Sequence, residues 1–86
     1  MIHFKVQVNP FKREAIINSK IGTIQYTRSI YFDDIDEWNS FEFGENIFDI
    51  HFHYDAEFLV SIYPVENNVV DYTKPFEVEL TFKMVD

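Results

Sequence analysis

The chain contains no cysteine. Disulfides, thiolate zinc centres, iron–sulfur clusters and cysteine nucleophiles are thereby excluded together. Small secreted domains usually depend on disulfide staples, so a cytoplasmic localisation is expected. Glycine occurs only at Gly22 and Gly44, too sparsely for a phosphate-cradling loop. Long apolar runs are also missing. Stretches such as Phe58-Leu59-Val60 end after about three residues, far short of a membrane span. Met1–Val8 alternates polar and apolar residues, unlike a basic end followed by an apolar leader.

The most informative absence is of positive charge. From Ser29 to Thr73, 45 residues carry no lysine or arginine and eleven carboxylates. The first 28 residues instead hold Lys5, Lys12, Arg13, Lys20 and Arg28 against Glu14 alone. The net charge of −8 is therefore concentrated in the middle of the chain. Direct binding to nucleic acid or to an anionic membrane is not expected, since phosphates require clustered Lys and Arg. A basic protein, most naturally one that itself binds nucleic acid, is the expected partner. The opposite polarity, with the Lys12-Arg13-Lys20-Arg28 side meeting an acidic partner, stays open.

What is present is apolar and aromatic. Of the 86 residues 47% are hydrophobic and ten are phenylalanine, which fits one folded domain over 1–86 and argues against disorder. A chain this short has little room for a cofactor cavity, and no cofactor is expected. Period-two alternation dominates. Ile2, Phe4, Val6 and Val8 share one face of a first strand that ends at Asn9-Pro10. Thr23–Phe32, Ile47–Tyr54, Phe58–Tyr63 and Phe76–Met84 read as further strands, the last with Phe76, Val78, Leu80, Phe82 and Met84 inside. Asn9-Pro10 could instead open a helix stopped by Gly22, but the apolar residues between them scatter around a helical wheel. A short strand near Glu14–Asn18 is the better reading. Asp33, Asp34 and Asp36 resemble a helix N-terminus, and a short helical turn is expected near Asp34–Asn39.

The fold expected is all-β: a small antiparallel sandwich or partly open barrel of about six strands with one helical turn. The alternative is an α+β fold with a short helix near residues 10–20. One hairpin register is predictable. A three-residue loop, Asp55-Ala56-Glu57, pairs Tyr54 with Phe58, Phe52 with Val60 and Ile50 with Ile62, which makes one face wholly apolar. Asp49, His51 and His53 then share the other face with Tyr63, Ser61 and Leu59.

Three constellations bear on chemistry. His51 and His53 stand on one face roughly 6.6–6.8 Å apart along the strand. With Asp49 or Asp55 they form a candidate metal site, although His3 is the only other imidazole. The same histidines, or His51 with Ser61 and Asp49, could serve acid–base chemistry. Nothing in the sequence supplies an enclosed site, so a non-enzymatic protein is expected. The third constellation is the acidic run Asp33, Asp34, Asp36, Glu37, Glu42 and Glu45 around Trp38. Its spacing lacks the glycine and terminal glutamate of a calcium loop. As a protein-docking surface it fits, because acids around an exposed Trp suit a basic partner. A solvated face that serves only solubility is the plain competing reading.

The residues carry no family signature. Three functions remain on this basis. The first is a non-enzymatic inhibitor that blocks a basic nucleic-acid-handling protein by mimicry, in the manner of phage anti-CRISPR, anti-restriction or toxin-immunity proteins. The second is a metal-binding protein, and the third an assembly module or homodimer joined through a sheet edge.

Overall fold

A strand that alternates apolar and polar residues can bury one face and leave the other wet, and this chain does so repeatedly. The computed structural model describes residues 2–33, 36–55 and 57–84, with residues 54 and 55 described through their backbone alone. Among the described residues there are eight strands: β1 (His3–Asn9), β2 (Glu14–Ile21), β3 (Ile24–Tyr31), β4 (Glu37–Phe43), β5 (Asn46–Asp55), β6 (Glu57–Glu66), β7 (Val69–Val70) and β8 (Glu77–Phe82). They form two four-stranded sheets, ordered β3-β2-β1-β8 and β4-β5-β6-β7. The all-β sandwich expected from the alternation is what the chain adopts. Neighbouring strands are antiparallel except β1 and β8, which run parallel. No helix among the described residues is long and apolar enough to cross a membrane.

The sheets meet through aromatic rings. Phe4, fully buried on β1, contacts Phe41, Phe48 and Phe76 edge-on at 6.0, 5.0 and 5.3 Å and stacks on Phe43 at 6.3 Å. Val6, Val8, Ala15 and Ile17 complete the first sheet's inner face, and Ile50, Phe52 and Ile62 the second's. Phe32 extends this core, stacking on Phe52 at 4.9 Å and packing against Phe58 at 5.4 Å. Burying each such ring stabilises by about 1.5–3 kcal/mol. At one margin, the Phe76 N–H donates to the Ile62 carbonyl at 2.9 Å and ties the entry of β8 to β6.

Turn chemistry sets the strand phases. Gly22 and Gly44, at φ 65° and 64°, lead two-residue hairpin loops, the position where only glycine is at ease. Asn67 and Asn68 both take positive φ in the two-residue loop from β6 to β7, the pattern of a type I′ turn. At Gly44 a Cβ would come within 2.7 Å of the Tyr26 hydroxyl, while the Tyr26 ring stacks on Phe43 at 5.3 Å. This contact joins the edge of the first sheet to a turn of the second.

Three expectations are corrected. Residues 10–20 hold no helix. Asn9 Oδ1 accepts from the N–H groups of Phe11 and Lys12 as a helix cap would, but Arg13 turns to φ 52° and the chain enters β2. The helical turn near Asp34–Asn39 is absent from its described part: Asp36 lies in a turn at φ 64° and β4 begins at Glu37, whereas Asp34 and Ile35 lie outside the described residues. Finally, Phe82 and Met84 are 46% and 64% exposed, because β8 is an edge strand whose end is only partly covered. The hairpin register is as expected, with Tyr54 opposite Phe58, Phe52 opposite Val60 and Ile50 opposite Ile62.

Phe4→Ala is expected to cost about 3–5 kcal/mol in urea unfolding, enough to unfold much of the population of a small domain. Gly44→Ala should cost about 1–3 kcal/mol, from positive φ combined with the Tyr26 clash. The double variant Gly44→Ala, Tyr26→Phe should recover the part due to that clash.

Candidate docking face on the second sheet

Because Phe41, Phe43, Phe48, Ile50, Phe52 and Ile62 point inward, their neighbours on β4, β5 and β6 point out. Trp38 pairs with His51, Ser40 with Asp49 and Glu42 with Ile47 across β4 and β5. Asp49, His51 and His53 face Tyr63, Ser61 and Leu59 across β5 and β6, as the register required.

The outer face carries a row of rings. Trp38 and His51 lie parallel, centroids 4.2 Å apart and planes 4° from coplanar alignment, and His51 stacks on His53 at 4.6 Å and 15°. Trp38 also meets Tyr63 at 6.2 Å and 28°. Tyr72, from the segment after β7, stands nearly perpendicular to both, at 5.7 Å from Trp38 and 5.3 Å from Tyr63. Trp38 remains 42% and Tyr72 60% exposed. Three rings of this row, Trp38, His51 and His53, belong to adjacent strands, so backbone pairing holds them in place.

Carboxylates border the row. Asp36 reaches His51 Nε2 at 3.4 Å while its side chain stays 71% exposed. The Ser40 hydroxyl donates to Asp49 at 2.5 Å. Asp71 accepts from the Thr73 N–H at 3.0 Å and the Thr73 hydroxyl at 2.6 Å, and these bonds, more than the nearby Lys74, lower its pKa. The Asp71 N–H in turn donates to the Pro64 carbonyl at 2.9 Å, which anchors the segment bearing Tyr72.

The strands divide the charge between them. Strands β1, β2, β3 and β8 hold Lys5, Lys20 and Arg28 against Glu14, Glu77 and Glu79. From Glu37 to Val70, which spans all of β4 to β7, there are seven carboxylates and no lysine or arginine. The basic residues of the N-terminal part do not gather into one patch. Lys20 lines a shallow cleft of about 400 Å³ with His3 and Lys5 on the outer side of the first sheet. Arg28 shares a smaller cleft of about 210 Å³ with Glu42.

The predicted docking residues separate into those on this face and those off it. Asp36, Trp38 and Glu42 stand on it or at its border. Glu45 occupies the exposed loop at the far end of the β4–β5 hairpin. Glu37 does not join them. It pairs with buried Phe52, is half-buried, and accepts from the Asn39 amide at 2.8 Å and the Asp33 N–H at 3.2 Å. Asp33 is exposed where the chain leaves β3, its carbonyl accepting from Arg13 at 2.9 Å. Asp34 lies outside the described residues. The hairpin register already sets Tyr63 on this face opposite Asp49. Tyr72 was missed, because it arrives through a loop and left no periodic signal.

The candidate metal residues His51, His53 and Asp49 share the face, but their donors do not converge. Parallel stacked imidazoles direct their lone pairs side by side. His53 Nε2 lies 3.2 Å from the Ser61 hydroxyl, His51 Nε2 is beside Asp36, and Ser40 holds Asp49. Among the described residues no group of three or more His, Cys, Asp or Glu is placed to hold a metal ion. Protein-family models, curated proteins and solved structures give no match to this chain.

His51 titrates below the ordinary imidazole value of 6.5. Burial disfavours its cationic form most, neighbouring His53 adds like-charge repulsion, and Asp36 opposes both. A folded-state pKa below the unfolded one means that stability from this group is fully present above about pH 6.5 and declines as pH falls through the folded value. Trp38 is the sole tryptophan, and its stacked partner becomes a cation in that transition. Trp38 fluorescence should therefore change with a midpoint below pH 6.5, and His51→Gln should abolish that transition while leaving the fold intact by circular dichroism.

Proposed function

We propose that this chain is a small acidic non-enzymatic inhibitor that docks on a basic, nucleic-acid-handling protein and blocks its groove. The observation that carries this reading is the segment Glu37–Val70 that forms the second sheet: seven carboxylates, no lysine or arginine, and an exposed aromatic row across the sheet's outer face. Glu42 and Asp49 project from the outer face with Asp36 and Glu45 at its border, so the face presents negative charge of the kind phosphates present along a nucleic-acid strand. Such a face competes with nucleic acid for a basic surface and accelerates encounter with it. A binder is favoured over an enzyme by the state of the two histidines, one held in a stack beside Asp36 and the other tied to Ser61, on an open sheet face. Phage counter-defence proteins of anti-CRISPR or anti-restriction type, and toxin-immunity proteins, would share this physical logic in the cytoplasm.

The test is a pull-down with tagged protein from lysate of the source or host cell at low salt, with and without competitor DNA. Capture of a basic nucleic-acid enzyme that DNA displaces supports the proposal. Capture indifferent to DNA moves the contact away from the groove, and recovery of the bait alone counts against inhibition. With the captured partner in hand, Glu42→Lys with Glu45→Lys should slow association by roughly tenfold or more at low salt, and raised salt should erase most of that difference. Unchanged association kinetics would remove this face from the interface.

A further inference from the structure

The docking face has one corner where aromatic surface and carboxylate coincide. Trp38 has His51 stacked against it and Tyr63 6.2 Å away, with Tyr72 edge-on to both Trp38 and Tyr63. Asp49 is two pairing rows along from Trp38 on the same face, directly opposite Tyr63, and the Ser40 hydroxyl fixes its Oδ1. This carboxylate is thus oriented by a neutral donor. Resting on the reading of this face as the contact for a basic protein, we propose that the corner seats an arginine side chain of that partner, not a lysine.

The geometry and chemistry favour the guanidinium specifically. Its plane can lie flat on the exposed ring of Tyr72, and since Trp38 stands at 86° to that ring it meets Trp38 through its N–H edge, with the fork turned toward Asp49. Arginine is more weakly hydrated than an ammonium and stacks on aromatic faces, whereas lysine keeps a compact, strongly hydrated charge. His51 already shows the mode within the chain, as a planar nitrogen ring laid parallel on the indole. Two features hold the seat in place before binding: strand pairing sets Trp38, and the Asp71–Thr73 and Asp71–Pro64 hydrogen bonds fix the approach of Tyr72. Little ordering cost then remains when the partner side chain arrives.

The experiment is calorimetric titration of the intact protein with oligoarginine and oligolysine peptides of equal length, at low and at physiological ionic strength. The arginine peptide should bind about tenfold tighter than the lysine peptide, in line with one desolvated cation–π contact plus a bidentate pair. Tyr72→Ser and Trp38→Leu, each checked for an unchanged fold, should remove most of that preference and leave lysine-peptide affinity within about twofold, since neither changes the charge. Equal affinity for the two peptides, with both weakened by Glu42→Lys and Glu45→Lys, would overturn the arginine seat and keep the acidic docking face. A preference that survives both aromatic variants would overturn the seat as well. Saturable binding of neither peptide would overturn the seat and the docking face together.

Discussion

The seating of Phe4 among Phe41, Phe43, Phe48 and Phe76 is the contact on which the rest depends. It is the place where β1, β4, β5 and the approach to β8 all meet. Side chains alternate along a strand, so burying Phe41 and Phe43 forces Trp38, Ser40 and Glu42 to the opposite face. Burying Phe48, Ile50 and Phe52 does the same for Asp49, His51 and His53. A slip of one residue in β4 would place Trp38 in the core and two phenylalanines in water. The aromatic row outside is thus the complement of the aromatic core inside, and one hydrophobic constraint positions both.

Several carboxylates on and beside the second sheet accept hydrogen bonds from neutral donors. Asp49 is held by Ser40, Asp71 by the Thr73 hydroxyl and backbone, and Glu37 by Asn39 and the Asp33 N–H. Asp71 also lies 3.7 Å from Lys74 Nζ, a contact within its own turn. Exposure keeps the self-repulsion small, since charges at a wet surface interact through a high dielectric and are screened beyond roughly 10 Å. The arrangement stores an attractive potential at little cost to the fold.

Much of this was legible in the sequence, and the failures have physical causes. Strands with strict alternation, β1 above all, and the β5–β6 register followed from burial alone. β4 was hidden because Asp33, Asp34 and Asp36 imitate a helix N-terminus, where a dipole welcomes acids. The contrary signal was Gly44-Glu45, a two-residue hairpin loop between Phe41-x-Phe43 and Phe48-x-Ile50. Alternation also overstated the burial of Phe82 and Met84, because it reports which face a residue occupies and not whether its strand is central or at an edge. Of the residues expected to dock, Trp38 and Glu42 lie on the outer face of the second sheet, whereas Glu37 pairs with buried Phe52, an orientation set by the phase of β4. Tyr72 was beyond reach, since its place is fixed by one backbone hydrogen bond to Pro64 and the turn at Thr73.

The stack of two histidines against Trp38 has a mechanical consequence. A lone exposed tryptophan on an edge strand would sample several rotamers, and a partner would have to freeze them at a cost of about 0.5–1.5 kcal/mol per side chain. His51 lies flat against the indole and is itself backed by His53. The stack rigidifies Trp38, and burial disfavours the cationic form of the ring that touches it. Lysine or arginine in those positions would pack its stem against Trp38 equally well, yet would place positive charge on an acidic face. An aliphatic residue would leave the ring free to tilt. An imidazole whose cationic form burial disfavours satisfies both demands, and the depressed pKa of His51 limits positive charge on this acidic face.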